Sequence, residues 1–239
     1  MTSHLEKEIA ELKERLLTMA NLAEAAAAKA IRALVERNDE LAREVIAEDA
    51  IVDRFEVEID EQVITLLSKA LLATDLRVMT VTLKLSHDVE RVADEATTIA
   101  RRVIALNAEP PARLAVDIPR LSGMALAMLR EALDAFVQRQ PDKARAIVPR
   151  DKEVDALNKQ FHRDLTRRML EQRGSISACL NLMVISKSLE RIADHAANVA
   201  EEVVFLHEAQ DIRHAGQTHL ALTDRAVLPP GIKPGISAA

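Results

Sequence analysis

No glycine precedes Gly123 and no proline precedes Pro110, so the first 109 residues lack both residues that most reliably interrupt regular backbone. Tight turns and strand bulges draw on the left-handed freedom of glycine and the fixed φ of proline, so a stretch without either reads as long helix. The apolar positions agree. Val78, Val81, Leu85, Val89, Val92, Ala96, Ile99, Val103 and Leu106 step by threes and fours, the seam of a helix packed in a bundle. Capping signals divide the run: Ser3 with Glu6, Asn38 before Asp39 and Glu40, and Thr74 before Asp75. They predict helices at about 4–36, 39–72 and 75–107. After a proline-marked linker, the same reasoning predicts helices near 118–139, 141–172 and 175–207. Pro141 then lies in a first turn, Gly174 is a C-terminal cap and Ser175 is the next N-cap. Pro149 would clash with the Arg145 carbonyl, which predicts a kink or restart in the fifth helix.

Four Phe and no Trp or Tyr leave the core to Leu, Val, Ile, Met and Ala, which excludes an all-β sandwich. The chain also repeats itself. Leu85–Leu106 aligns without gaps on Ile185–Leu206 at an offset of 100, with nine of 22 positions identical. Val35–Asp53 aligns on Val137–Asp155 at an offset of 102. The expected fold is all-α: two repeated three-helix bundles, six long helices in all, related by a pseudo-two-fold axis. The expected division is a first repeat at 1–109, a linker at 110–117, a second repeat at 118–214 and a flexible tail at 215–239.

The charged residues then carry the functional reading. Asp49, Asp53, Glu56 and Asp60 lie on one helical face, and their counterparts are Asp151, Asp155, Asn158 and His162. On the following helices Glu90 and Asp94 form an i,i+4 pair matched by Glu190 and Asp194, with Thr98 and Asn198 a turn further on. A hairpin centred near 73–74 would bring Asp53 opposite Asp94 and Glu56 opposite Glu90; one near 173–174 would bring Asp155 opposite Asp194. Like charges so placed repel, and repetition in both halves points to a multivalent cation. Oxygen-rich sets without cysteine suit Mg²⁺, Ca²⁺, Mn²⁺ or iron. Two plainer readings stay open: a solvated face neutralised by Arg91, Arg191, Lys152 and Arg150, and mutual protonation of clustered carboxylates.

Other function classes fall away. A net charge of −6 with almost no aromatics argues against nucleic-acid binding. Cys179 is the sole cysteine, which excludes an internal disulfide and a thiolate zinc site and fits a reducing compartment. Glu6, Glu8, Glu11 and Glu14 stand where a signal peptide would be apolar, and no uncharged stretch reaches ~18 residues, so the expectation is a cytoplasmic protein with only peripheral membrane contact. No histidine has Glu three residues before it, which argues against a ferritin-like di-metal oxidase, and no phosphate-binding P-loop occurs. His207, His214 and His219 read as surface histidines, the Ala25–Ala28 run as close helix packing, and Met124 with Met128 as core filler. Ala-rich and Met-containing faces left uncovered would favour a homodimer.

VERVADEATTIAR (Val89–Arg101) and LERIADHAANVAE (Leu189–Glu201), with ATDLR (Ala73–Arg77) and DIRH (Asp211–His214), resemble the PhoU family of phosphate-uptake regulators over nearly the whole chain. The resemblance implies two repeated three-helix bundles. It also implies paired E/D-x-x-x-D motifs, here Asp49 with Asp53, Glu90 with Asp94, Asp151 with Asp155, and Glu190 with Asp194, that hold multinuclear iron or zinc in some members. Ala93 and Ala193 stand where the family has glycine, and Glu95 and Thr98 depart from the His and Asn of the second motif. The function implied is non-enzymatic: negative regulation of phosphate-starvation signalling through the ATPase subunit of a phosphate ABC transporter and a sensor histidine kinase. The competing reading is a metal-storage or metal-delivery bundle without signalling partners.

Overall fold

The computed structural model describes residues 4–69, 72–109 and 117–213. Ser3, linker residues 110–116, His214, His219 and the expected tail from 215 lie outside them. Among the described residues every regular element is helical: α1 (His4–Glu36), α2 (Asp39–Leu67), α3 (Ala73–Asn107), α4 (Ile118–Gln138), α5 (Pro141–Ile147), α6 (Asp151–Glu171) and α7 (Ile176–Glu208), with short 3-10 turns at Val148–Arg150 and Arg173–Ser175. The expected fifth helix is thus α5 and α6, and the break falls at Pro149, where the ring and missing N–H forbid a continuous ladder.

Helix ends show where local reading worked. Asn38 caps α2 as expected, its Oδ1 accepting from the backbone N–H of Glu40 at 3.0 Å and Leu41 at 3.1 Å. Two expectations are corrected, and a third holds in position alone. Helix α3 begins at Ala73 behind Leu72, so Thr74 lies inside the helix and caps nothing. Gln172, not Gly174, ends α6, and Gly174 sits in a 3-10 turn. Ser175 occupies the N-cap of α7, but its hydroxyl donates back to the Gln172 carbonyl at 2.7 Å and not forward to the helix. Asp117, which the sequence reading passed over, caps α4 through the Arg120 N–H at 3.1 Å.

Helices α1, α2 and α3 pack on one another, α4 to α7 form the second group, and α3 lies along α7 to join them. The seam of α3 points inward as the spacing requires, from Val81 to Val103, with Val78 and Leu106 half-covered at its ends. Ala23, Ala27, Ala30 and Ala33 on α1 are buried, as is Met128 on α4, and Met124 packs against the core. Each large aliphatic side chain so enclosed contributes about 1.5–3 kcal/mol. Close packing therefore takes up much of the alanine and methionine surface, while Ala25 and Ala28 on α1 stay exposed. The large apolar side chains left exposed include Leu67, Leu72 and Leu76 at the α2–α3 turn and Leu170, Ile176 and Leu180 at the α6–α7 turn.

Candidate metal centres

Each half presents its carboxylates where its two motif-bearing helices run side by side. In the first half α2 supplies Asp49, Asp53 and Glu56, and α3 supplies Glu90 and Asp94. Glu90 is 8% exposed, and burial pushes its carboxyl up to about 7, with the Asp94 charge adding to the rise, Arg91 opposing it and Glu56 adding further. Asp49 is raised by burial, an effect the nearby Thr97 hydroxyl partly offsets before Asp53 and Asp94 add their fields. Glu56 thus stands by Glu90 as expected, while Asp94 acts on Asp49 across the helix pair. Arg91 Nε lies 2.9 Å from Glu90 Oε2 and its Nη1 2.8 Å from Asp94.

In the second half Asp194 is pushed up to about 7 by burial and by the Asp151 carboxyl against it. Glu190 is raised, chiefly by burial, although Lys187 pairs with it and pulls the other way. Asp155 goes down, because it takes a hydrogen bond from the Glu190 carboxyl and then from Lys159. The contacts here are therefore Asp151 with Asp194 and Asp155 with Glu190, one helical turn from the expected facing of Asp155 with Asp194. Residues four apart share a helix face, so turn position alone leaves that register ambiguous and the packed side chains decide it.

The donor set fits a hard or borderline cation on a structural test. Asp49 Oδ1 in the first half and Asp151 Oδ1 in the second are enclosed oxygens that accept no hydrogen bond, whereas the equally enclosed Glu90 Oε2 and Glu190 Oε2 are held in ion pairs by Arg91 and Lys187. They occupy duplicate positions, and an enclosed carboxylate oxygen without a donor costs about 1–3 kcal/mol or more. All eight motif residues lie on the paired helices, with Asp53 the most open, and the arrangement leaves oxygen lone pairs for an ion in both halves. Of the neutralising residues expected on the plainer reading, Arg91 does bind Glu90 and Asp94. Arg191 turns instead to Glu95 at 2.9 Å, and Arg150 to Glu131.

The two centres also converge, which no local pattern announced. Asp94 and Asp194 both open on one cleft between α3 and α7, about 660 Å³ in volume, whose walls include Arg91, Arg101, Arg191 and His195. Asp88 on α3, 9% exposed and unremarked in the sequence, accepts from Asn198 at 3.1 Å and pairs with His195 Nδ1 at 2.8 Å on α7. Glu95, the departure from the family pattern at the position equivalent to His195, binds Arg191 across the same boundary. Both members of the duplicated 95/195 position therefore tie one half to the other. A spacing rule misleads here, because Lys84 and Arg91 stand four before and three after Asp88 and Arg91 four before Glu95, yet Lys84 turns to Glu202 and Arg91 to Glu90 and Asp94, and both acids find their partners on α7.

A family model for the PhoU domain matches this chain twice, over residues 16–103 and 118–203. The chain is 36% identical over 206 residues to a phosphate-specific transport system accessory protein PhoU homolog of Rhizobium meliloti (strain 1021), covering 85% of this chain and 87% of the relative. A homolog of the same name from Pseudomonas aeruginosa is 35% identical over 227 residues, covering 92% of this chain and 93% of the relative. Among solved structures, the crystal structure of PhoU from Pseudomonas aeruginosa superposes with a TM-score of 0.83 at 35% identity, covering 87% of this chain and all of that one. That of the phosphate transport system regulatory protein PhoU from Streptococcus pneumoniae gives 0.78 at 26% identity, covering 87% of this chain and 99% of that one. With two full domain matches, an all-helical duplicated fold and relatives aligned along most of its length, this chain belongs to the PhoU family.

Proposed function

We propose that this protein is a non-enzymatic regulator of phosphate uptake that restrains phosphate-starvation signalling when phosphate is plentiful. In this reading it binds the ATPase subunit of a phosphate ABC transporter and the sensor histidine kinase of the phosphate response, works in the cytoplasm and meets the membrane only through those partners. The supporting observation is its alignment, over both domain copies, with proteins named for the phosphate-specific transport system. No helix among the described residues is long and apolar enough to cross a membrane, which agrees with peripheral docking.

The carboxylate centres belong to the same proposal. Asp49, Asp53, Glu90 and Asp94 would hold one metal centre, and Asp151, Asp155, Glu190 and Asp194 a second. A bound iron, zinc or other multivalent ion supplies positive charge that converts repulsion between paired helices into attraction. The chain's own residues set how the halves meet: Glu95 with Arg191, and Asp88 with His195 and Asn198, hold α3 against α7 beside the shared cleft. The orphaned oxygens also favour the second reading, a metal-storage or metal-delivery bundle without signalling partners.

A pull-down from cells grown in high phosphate separates the two. Recovery of the transporter ATPase or the kinase, with alkaline phosphatase raised in a deletion strain, is the expected result. Recovery of neither, with unchanged phosphatase, overturns the regulatory reading.

A further inference from the structure

The duplicated halves finish one matched corner differently. In the first half Arg37 follows α1 in left-handed backbone and donates its guanidinium to the carbonyls of Leu106, Asn107 and Glu109. Asn107 in turn donates to the Asp39 carboxylate at 2.7 Å, and Asn38 caps α2. That corner closes on the chain's own acceptors. In the second half the residues at the same offsets are Arg139 for Arg37, Gln140 for Asn38, Pro141 for Asp39 and His207 for Asn107. Arg139 keeps the strained backbone, with φ of 55°, but the carboxylate has become a proline and the amide an imidazole. Gln140 caps nothing, and its enclosed Oε1 accepts no hydrogen bond.

Lys13 on α1 of the other half completes this second corner. It is half-buried, while Arg139 and His207 are exposed and leave the corner open to solvent. Burial and then the Arg139 charge lower the Lys13 ammonium, and burial, then Arg139, then Lys13 lower the His207 ring. Three cationic side chains from three separate segments thus face one another. Among the described residues none of the three forms an ion pair or a side-chain hydrogen bond, in a chain with 38 acidic residues against 32 Lys and Arg. The acids nearby are turned elsewhere: Glu208 binds Arg145, Asp211 binds Arg213, and Glu14 and Asp142 are exposed and pair with none of the three. We propose that Lys13, Arg139 and His207 form a binding site for a phosphate-class oxyanion, which fills at the second corner the place that the Asp39 carboxylate fills at the first. A guanidinium fork, an ammonium and an imidazolium give such an anion charge-assisted hydrogen bonds, and its charge turns their mutual repulsion into attraction. The site shares no residue with the carboxylate centres, and its failure leaves the proposed function standing.

The test uses the full chain in chelator, so that no metal holds the anion. It is titrated with inorganic phosphate at about pH 6.5, near the ordinary histidine value, against sodium chloride at matched ionic strength. Glycerol 3-phosphate forms a second arm, for phosphate carried as an ester. Calorimetry reads stoichiometry, and histidine ring ¹H–¹⁵N spectra follow His207. One phosphate per chain should bind saturably and raise the pH at which the His207 ring titrates; saturable binding of the ester alone supports the site and assigns it to esterified phosphate. Arg139→Gly, which also relieves the backbone, and Lys13→Gln should each weaken binding roughly tenfold or more, whereas Arg37→Gly at the first corner should not. Binding that is equal in wild type, Arg139→Gly and Lys13→Gln places the anion elsewhere and overturns the inference. A His207 response to phosphate and ester no larger than that to chloride overturns it as well.

Discussion

Glu90 and Asp194 carry the same physical burden by different routes: each is a carboxylate held from water beside another acid. Their ordinary values are near 4, so between about pH 4 and pH 7 the native state holds protons that the unfolded chain has released. The stability this contributes is complete below the unfolded values and is lost as pH rises to about 7. The metal-free melting temperature should accordingly fall between about pH 4 and pH 7, and the Glu90→Gln, Asp194→Asn double variant should flatten that fall when melts are compared across pH. Metal reverses the sign. A cation at a hundredfold excess over its dissociation constant stabilises the fold by about 2.7 kcal/mol, which chelator should remove. Asp94→Asn with Asp194→Asn should lower metal content in both halves by elemental analysis while leaving the metal-free melt unchanged or slightly higher. Should the wild type take up no metal and the variant melt no lower with metal added, the centres are plain charged surface.

The helices owe their ends to particular side chains, and two of these give clean measurements. Asn38 satisfies two N–H groups of the first turn of α2, so Asn38→Ala should cost about 1 kcal/mol in denaturant unfolding. Arg37 and Arg139 are duplicate positions following α1 and α4, and both adopt left-handed backbone, with φ of 52° and 55°. Arg37 draws a return from its strain, because its guanidinium donates to the carbonyls of Leu106, Asn107 and Glu109 at the end of α3. Arg139 instead adds positive charge beside Lys13 and His207, lowering the pKa of both after burial has done so. Arg139→Gly should therefore stabilise the protein by about 1 kcal/mol, whereas Arg37→Gly should gain less or lose, in the same unfolding assay. The break at Pro149 was readable because a proline inside a helical pattern acts on its own helix. The failures at Thr74 and Gly174 arose because a residue with capping chemistry still needs its helix to start or stop at that place, and the hairpin turns moved by one or two residues, whereas α7 does start behind Ser175 and only the direction of its hydroxyl differs.

For the whole molecule, the large apolar side chains left exposed among the described residues include Val35, Ile51, Val57, Ile64 and Val137 along the helices and a group at each of two hairpin turns. Leu170 is 82% exposed and Leu72 62%, with Leu67, Leu76, Ile176 and Leu180 near them in sequence. Covering such tips is one route to self-association. Light scattering should return about twice the 26.4 kDa chain mass, and Leu72→Glu with Leu170→Glu should return the single-chain mass. A single-chain mass for the wild type at every concentration, with and without metal, would remove the homodimer from the reading.

Helical class, the duplication and the carboxylate stripes were legible in the residues alone, because helix formation, face periodicity and proline breaks depend on neighbours within a few positions. The same holds for the eight motif carboxylates, whose i,i+4 spacing assigns each pair to a face. What lies opposite that face is another matter. That Asp151 rather than Asp155 meets Asp194, that Asp94 and Asp194 share one cleft, and that Asp88 and Glu95 bind across to α7 were decided only by the rotation of α3 against α7 and of α6 against α7. Those rotations are set by the fit of whole apolar surfaces far apart in sequence. A shift of one helical turn keeps every local pattern intact while exchanging every partner.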